Sequence, residues 1–166
     1  EGKAYPVCTT REELEALNTA DKKAELLARN WEEAQDSRRE EQQRQRQFSI
    51  EEVEAHLRAG DPFVLRILAD GNPERKIPFT DLVKGKMEIP ENDEDFVLLK
   101  SDGIPTYHFA HAVDDHLMGT THVIRGEEWL PSLAKHLMLF RYLGFRPLKY
   151  LHIAQLMRLD DSGNKK

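Results

Sequence analysis

The sequence predicts an α/β fold, and three observations lead to it. After Asp102-Gly103-Ile104-Pro105, helical and strand patterns alternate with short connections, as in half of a doubly wound sheet. Before that turn, short strand patterns follow one another, which is typical of an α+β region with a small antiparallel sheet. Hydrophobic residues make up 39% of the chain and charged residues 33%, so a core can form in a strongly charged soluble protein.

The first fifty residues predict one strand and two helices. Residues 5–9 are a strand candidate, and Thr10 with Glu13 forms a capping box for a helix through about Leu17. A longer helical stretch covers residues 21–47. Its first part has an apolar face, whereas residues 35–47 contain no apolar side chain. The second part is therefore predicted to be a solvated helix or disordered, with a coiled-coil flank as the alternative.

The middle of the chain predicts a short helix and four strands. Ser49 and Glu52 form a second capping box, and that helix should reach about Arg58 and stop at Gly60. The predicted strands cover residues 63–68, 77–79, 87–89 and 96–100. The last third predicts a helix over 106–118, a strand over 121–124, a helix over 131–142 with Pro131 in its first turn, and a strand over 150–157.

Composition limits the function classes. The net charge of −6 is unlike that of an autonomous nucleic-acid-binding domain, because phosphate contacts need Lys and Arg. The single cysteine, Cys8, cannot form an internal disulfide or a cysteine-rich zinc site, and a reducing cytoplasm is its simplest location. The apolar runs are far shorter than the ~20 residues of a membrane span, so no membrane role is expected.

Two places in the last third are candidates for ligand binding. Tyr107 and His111 are one turn apart on the predicted helix, so they are surface neighbours that either line a pocket or belong to a solvated face. Arg125 follows a predicted strand, where α/β sheets gather ligands, and its guanidinium suits a carboxylate or phosphate; the alternative is a surface arginine beside a surface glutamate. Asp114, Asp115 and His116 invite a metal-site interpretation, but adjacent helical residues point about 100° apart and cannot share one ion.

Three stretches of the last third resemble signatures of glutamyl-tRNA synthetases. These stretches are Ser101-Asp102-Gly103-Ile104-Pro105-Thr106-Tyr107-His108-Phe109-Ala110, Val113-Asp114-Asp115-His116-Leu117-Met118-Gly119 and His122-Val123-Ile124-Arg125-Gly126-Glu127-Glu128-Trp129. The match is dense over residues 95–158 and weaker upstream, and residues 20–47 depart from the family pattern. The resemblance implies a class I synthetase whose Rossmann-type domain is split by an α+β insertion that binds the tRNA acceptor end.

The resemblance also implies the domain boundaries and the roles of residues. Residues 1–100 would be the insertion and residues 101–166 the start of the second Rossmann half. Glutamate would be bound by Tyr107, His111 and Arg125, although the family position matching His111 is usually Asn. ATP would be bound by Glu128, Trp129, Leu156 and Met157, with Mg²⁺ accompanying it and without zinc, because one cysteine cannot replace the several that hold zinc in some members.

Neither of the family's two ATP signatures, the HIGH-type and the KMSKS-type motifs, occurs in this sequence. The resemblance therefore implies part of a cytoplasmic glutamate–tRNA ligase that is inactive on its own, with tRNA(Glu), L-glutamate and ATP as the partners of the parent enzyme. The alternatives are a glutaminyl-tRNA synthetase or a shortened relative that transfers glutamate to a tRNA base. A third alternative is a non-catalytic interaction module built on residues 20–47, and a fourth is a hydrolase with a metal at residues 114–116.

Overall fold

The fold is taken from a computed structural model that describes residues 2–8, 36, 39–40, 42–43, 45–47 and 49–155. The predicted capping box at Thr10 and Glu13, most of the predicted helix over 21–47, and the candidate ATP residues Leu156 and Met157 lie outside this part of the chain. The strands of the described part are β1 (Ala4–Cys8), β2 (Phe63–Ile67), β3 (Lys76–Asp81), β4 (Gly85–Pro90), β5 (Val97–Leu99), β6 (His122–Gly126) and β7 (Lys149–Ile153). The helices are α1 (Ile50–Ala59), α2 (Tyr107–Leu117) and α3 (Leu133–Leu143), with a 3-10 helix at Glu127–Ser132.

The chain divides into two compact units. One contains Glu1–Asp70 and Asp93–Phe109, and the other contains Gly71–Asn92 and Ala110–Lys166. The division differs from the sequence boundary near residue 100, because the hairpin of β3 and β4 groups with the C-terminal residues. A hairpin packs against whichever element buries its apolar face, and sequence order does not determine which element that is. The functional assignment of residues 1–100 and 101–166 stays a prediction.

In the first unit, an antiparallel sheet has the strand order β1-β2-β5. Its buried apolar side chains include Val7, Cys8, Ile67 and Leu98. The predicted helix after Ser49 is confirmed as α1. The Ser49 side chain accepts from the N–H of Glu52, the Glu52 side chain accepts from the N–H of Ser49, and Gly60 ends the helix at φ 78°.

Part of the charged stretch contacts the first unit's sheet region. Residues 36, 39, 40, 42, 43 and 45 are helical. Arg46 donates from Nε and Nη2 to the buried carboxylate of Asp95, at 2.7 and 2.5 Å, and Asp95 also accepts from the Tyr5 hydroxyl at 2.7 Å. Gln42 donates to the carbonyl of Asp93 at 3.0 Å. Polar side chains at this end of the stretch therefore bind the protein rather than only solvent.

The second unit holds the β3–β4 hairpin and a parallel pair, β6 and β7. Helix α3 covers this unit's core with Leu133, His136, Met138, Leu139 and Phe140, all of them buried. A parallel pair with a helix between its strands is the α/β arrangement that the sequence predicted. The described residues thus form a mixed α/β structure with small sheets, and none of their helices is long and apolar enough to cross a membrane.

Three details of the predicted elements are wrong. The strands of the middle region form two separate groups, β1-β2-β5 and β3-β4, rather than one small sheet. Pro131 lies inside the 3-10 helix, and the α-helix begins only at Leu133, because an N-terminal 3-10 turn tolerates a residue without an N–H. Strand β7 ends at Ile153 rather than reaching residue 157, and Ala154 and Gln155 are outside it.

Candidate functional site

The parallel pairing of β6 and β7 positions the side chain of Arg125. In this register Arg125 is opposite His152, and Val123 is opposite Tyr150. Alternate residues of a strand point to the same face, so these four side chains share one face of the pair. Tyr150 and His152 are completely buried, whereas Ile124 on the opposite face is 66% exposed. Arg125 therefore points into the interior of the second unit.

Two imidazoles hold the Arg125 guanidinium. Its Nε donates to His152 Nε2 at 2.9 Å, and its Nη1 lies 2.9 Å from His136 Nδ1. Its central carbon is also 4.9 Å from the centroid of the Tyr150 ring and 5.9 Å from that of Trp129. An imidazole nitrogen accepts a hydrogen bond only through its lone pair, so these partners orient the guanidinium without cancelling its positive charge. The arrangement suits a bound anion.

Asp81, the last residue of β3, supports His152 from the other side. One carboxylate oxygen lies 2.7 Å from His152 Nδ1 and accepts from the backbone N–H of His152 at 3.1 Å. The other oxygen accepts from the N–H groups of Val83 and Lys84, each at 2.9 Å. Burial acts to raise the pKa of Asp81, but hydrogen bonds from Lys84, His152 and Val83 outweigh it and lower the pKa to about 2. Asp81 is therefore an ionised buried carboxylate.

His111 joins this cluster from helix α2. Its ring centroid is 4.4 Å from that of His136, and its Nε2 is 3.4 Å from the Tyr150 hydroxyl. Its Nδ1 is 2.6 Å from a carboxylate oxygen of Asp115, one turn later on the helix. Burial lowers the pKa of His111, the Asp115 carboxylate raises it, Arg125 lowers it, and the net direction is downward. His111 is therefore mainly neutral near neutral pH.

The other predicted site residues are distributed differently. Tyr107 is the first residue of α2, belongs to the first unit and is 52% exposed. Glu128 and Trp129 are in the 3-10 helix that follows β6 directly. The Glu128 carboxylate lies over Gly126, where an added Cβ would be 2.0 Å from it. The structure thus brings His111, Arg125 and Trp129 into one unit, with Glu128 beside them in the chain.

Residues 114–116 do not act together. Asp115 pairs with His111, and the His116 ring stacks on Phe145 with 3.7 Å between centroids and 2° between planes. Among residues 2–8, 49–155 and the few described between them, no group of three or more His, Cys, Asp or Glu side chains is arranged to hold a metal ion. Cys8 is buried in the first unit.

Sequence reasoning missed most of the support around Arg125. His136 lies within residues 95–158, where the resemblance is dense, but it was given no role, and Asp81, Tyr150 and His152 were not candidates. Strand alternation in β7 offered one usable signal, because Tyr150 and His152 share a face. No local pattern marked Asp81, which is 71 residues from His152 in the chain.

The chain is similar to known proteins over almost its whole length. A glutamate–tRNA ligase of Clostridium perfringens (strain 13 / Type A) is 45% identical over 165 residues, which are 99% of this chain and 29% of that protein. One from Sorangium cellulosum (strain So ce56) is 46% identical over 159 residues, 96% of this chain and 26% of that protein. The chain thus spans less than a third of the length of these relatives.

A solved structure is also similar. The crystal structure of a glutamate tRNA ligase from Elizabethkingia meningosepticum CCUG26117, in complex with its amino acid, has a TM-score of 0.71 and 33% sequence identity, and covers 96% of this chain and 31% of that one. Residues 1–165 match the family described as tRNA synthetases class I (E and Q), catalytic domain. The chain therefore belongs to the class I glutamyl and glutaminyl tRNA synthetase family and corresponds to part of its catalytic domain.

Proposed function

We propose that this chain is part of a cytoplasmic glutamate–tRNA ligase, which activates glutamate with ATP and transfers it to tRNA(Glu). Residues 101–166 would be the start of the second half of a split Rossmann-type domain, and residues 1–100 would contain the insertion that binds the tRNA acceptor end. The parallel pair β6–β7 with α3 between its strands supports the Rossmann assignment. Both relatives described above carry the name glutamate–tRNA ligase.

The observation that carries the proposal is the geometry of Arg125. It lies near the carboxyl end of a parallel strand, where α/β sheets bind ligands, and it is oriented by two imidazoles that leave its charge intact. A guanidinium fixed in this way can donate two parallel hydrogen bonds to a carboxylate. We assign Arg125 to a carboxylate of glutamate, with His111 beside it and Tyr107 as a further glutamate-binding residue.

ATP is assigned to the residues that follow the strands. Glu128 and Trp129 come directly after β6 and would contact the ribose and the adenine, and Leu156 and Met157 would contact the adenine. Magnesium usually binds through substrate phosphates and one or two carboxylates. Since magnesium would be held mainly by the phosphates of ATP, it is assigned to none of these residues.

The reaction has two steps. A glutamate carboxylate oxygen attacks the α-phosphorus of ATP, forming the glutamyl adenylate as pyrophosphate leaves. The terminal ribose hydroxyl of the tRNA then attacks the acyl carbon, forming the ester as AMP leaves. The residues described here would act by holding the amino acid in line and stabilising charge rather than by covalent catalysis.

The test is Arg125→Lys in the full-length protein. Lysine keeps the charge but has one nitrogen, so it cannot bond both imidazoles and a carboxylate with the geometry of the fork. On the scale of charged hydrogen bonds, kcat/KM for glutamate should fall by a factor that corresponds to roughly 1.5–3 kcal/mol, while KM for ATP changes little. Arg146→Lys, at an exposed arginine, is the matched control. Equal losses for both substrates would remove Arg125 from the glutamate site.

Two assays of the full-length protein, ATP–pyrophosphate exchange and charging of tRNA, distinguish the alternatives. A glutaminyl-tRNA synthetase would charge tRNA with glutamine, and a tRNA-modifying relative would use glutamate and ATP without esterifying the tRNA terminus. A non-catalytic interaction module would show no ATP–pyrophosphate exchange with either amino acid. Exchange that depends on glutamate, followed by charging of tRNA(Glu), is the expected result.

A further inference from the structure

Asp81 and His152 form a buried carboxylate–imidazole pair whose outer nitrogen contacts Arg125. Both side chains have no solvent exposure, and they are joined at 2.7 Å between Oδ2 and Nδ1. Beyond the imidazole, His152 Nε2 accepts from Arg125 Nε at 2.9 Å. The three groups therefore form a single line of hydrogen bonds from a carboxylate through an imidazole to a guanidinium, entirely within the second unit.

The positions of the hydrogens in this line are determined by its two ends. Arg125 can only donate, so His152 Nε2 must carry a lone pair. The ionised Asp81 can only accept, so His152 Nδ1 must carry the proton. A histidine protonated on both nitrogens would direct an N–H at the guanidinium N–H and repel it. Asp81 thus selects the one tautomer of neutral His152 that can hold Arg125.

We infer that Asp81 and His152 are positioning residues for Arg125. Asp81 fixes the tautomer and the ring orientation of His152, and His152 fixes the guanidinium through Nε while His136 holds Nη1. Two acceptors on different nitrogens stop the planar guanidinium from rotating about its Cδ–Nε bond. Its remaining donor geometry is thereby set before a ligand arrives, which lowers the ordering cost of binding. This inference rests on the proposed role of Arg125 in binding glutamate.

The sensitive perturbation is Asp81→Asn, which changes one oxygen to an amino group with almost no change in shape. Both oxygens of Asp81 only accept: one from Val83 and Lys84, the other from His152. If the new amino group faces His152, Nδ1 must become an acceptor, and the proton moves to Nε2, opposite the Arg125 N–H. If it faces Val83 and Lys84 instead, its N–H groups point at the backbone N–H groups of those two residues, and no hydrogen bond can form. The first orientation removes the tautomer of His152 that holds Arg125, and the second removes the anchor by which Val83 and Lys84 hold the side chain that faces His152.

The first experiment compares steady-state kinetics of the full-length protein with those of Asp81→Asn. We expect KM for glutamate to rise about tenfold, on the scale of one charged hydrogen bond, and KM for ATP to stay within about twofold. The matched control is Asp61→Asn, which removes a carboxylate from a partly exposed His56–Asp61 pair of the same type, 2.8 Å apart, in the first unit. It should leave both values unchanged.

A double-mutant cycle separates positioning from general stabilisation. In His152→Gln the side-chain amide oxygen can still accept from Arg125, but the link to Asp81 is broken. If Asp81 acts through His152, adding Asp81→Asn to His152→Gln should cause no further rise in KM for glutamate. Additive effects on KM would overturn the inference. Thermal midpoints are measured in parallel, because a purely structural role predicts lower midpoints without the selective change in KM.

The outcomes distinguish this inference from the proposed function. If Arg125→Lys raises KM for glutamate and folded Asp81→Asn does not, the glutamate site stands and the positioning role is wrong. If neither variant affects KM for glutamate, Arg125 is not in the glutamate site and both proposals fail. If His152→Gln does not fold, the decision falls to Asp81→Asn and its Asp61→Asn control, where a selective rise in KM supports the role and unchanged KM overturns it.

Discussion

His111 should make glutamate binding depend on pH, and replacing it with Asn should remove that dependence. The groups that face His111 are Asp115 on its own helix, Arg125 from β6, His136 from α3 and Tyr150 from β7. Burial and Arg125 lower the pKa of His111 more than Asp115 raises it, so the ring is mainly neutral at pH 7.5. A glutamate carboxylate bound at Arg125 would cancel the Arg125 contribution and raise the pKa.

The direction in which glutamate affinity changes with pH follows from proton linkage. Because the bound state would have the higher His111 pKa, binding takes up a proton, and affinity should rise as pH falls through the pKa of the complex. It should level off below the pKa of the free protein, which lies under the ordinary value of about 6.5. Protonation thus strengthens binding if the ligand presents a carboxylate to Arg125, and would weaken binding if it presented its ammonium group.

The size of the effect comes from the Arg125–His111 separation. Arg125 Nη1 is 2.9 Å from His136 Nδ1, and the His136 ring centroid is 4.4 Å from that of His111. These two distances place the two groups at most about 8 Å apart, where two unit charges interact by roughly 0.5 kcal/mol in water and about 2 kcal/mol at an effective dielectric constant of about 20. Since about 1.4 kcal/mol corresponds to tenfold, glutamate affinity should change by at least about twofold, and by about thirtyfold at the lower dielectric constant.

The assay is calorimetric or kinetic measurement of glutamate affinity in the full-length protein from pH 7.5 to 5.5, with His111→Asn in parallel. Asn stays neutral throughout, so the variant should lose the increase at low pH while keeping most of its affinity at pH 7.5. Asp93→Asn in the first unit controls for general acid sensitivity. Identical pH profiles for wild type and His111→Asn would show that His111 does not sense the ligand.

Three further predictions concern RNA binding and stability. The chain by itself should bind tRNA weakly, and its affinity should fall by about tenfold or more between 50 and 200 mM salt, in fluorescence anisotropy; salt-independent binding would contradict this. Gly71→Ala should lower the thermal midpoint of the full-length protein, because an added Cβ would lie 2.2 Å from the backbone oxygen of Asn92; an unchanged midpoint would show that this segment shifts freely. Asp95→Asn should lower the midpoint as well and should reduce the free energy of unfolding by about 3 kcal/mol, since Arg46 and Tyr5 both donate to the buried Asp95 carboxylate. An unchanged free energy of unfolding would mean that these donors bind other acceptors.

The sequence by itself determined features that depend on residues a few positions apart. The capping box of Ser49 and Glu52, the stop at Gly60 and the periodicity of α2 are local, so α1 and α2 occur within a residue or two of their predicted bounds. The alternation of helix and strand after residue 102 predicted the parallel pair β6–β7. Arg125 was identifiable because its position at the end of a predicted strand and its guanidinium both indicate an anion site, although the strand itself continues to Gly126.

Only the tertiary structure decided what surrounds Arg125. Asp81 comes from the β3–β4 hairpin, His136 from α3 and His152 from β7, and each is unremarkable in its own stretch of sequence. The hairpin was predicted to belong with the residues before it, yet it groups with the second unit. The physical reason is that strand register and the packing of a hairpin depend on contacts between residues far apart in the chain, such as the 71 residues between Asp81 and His152.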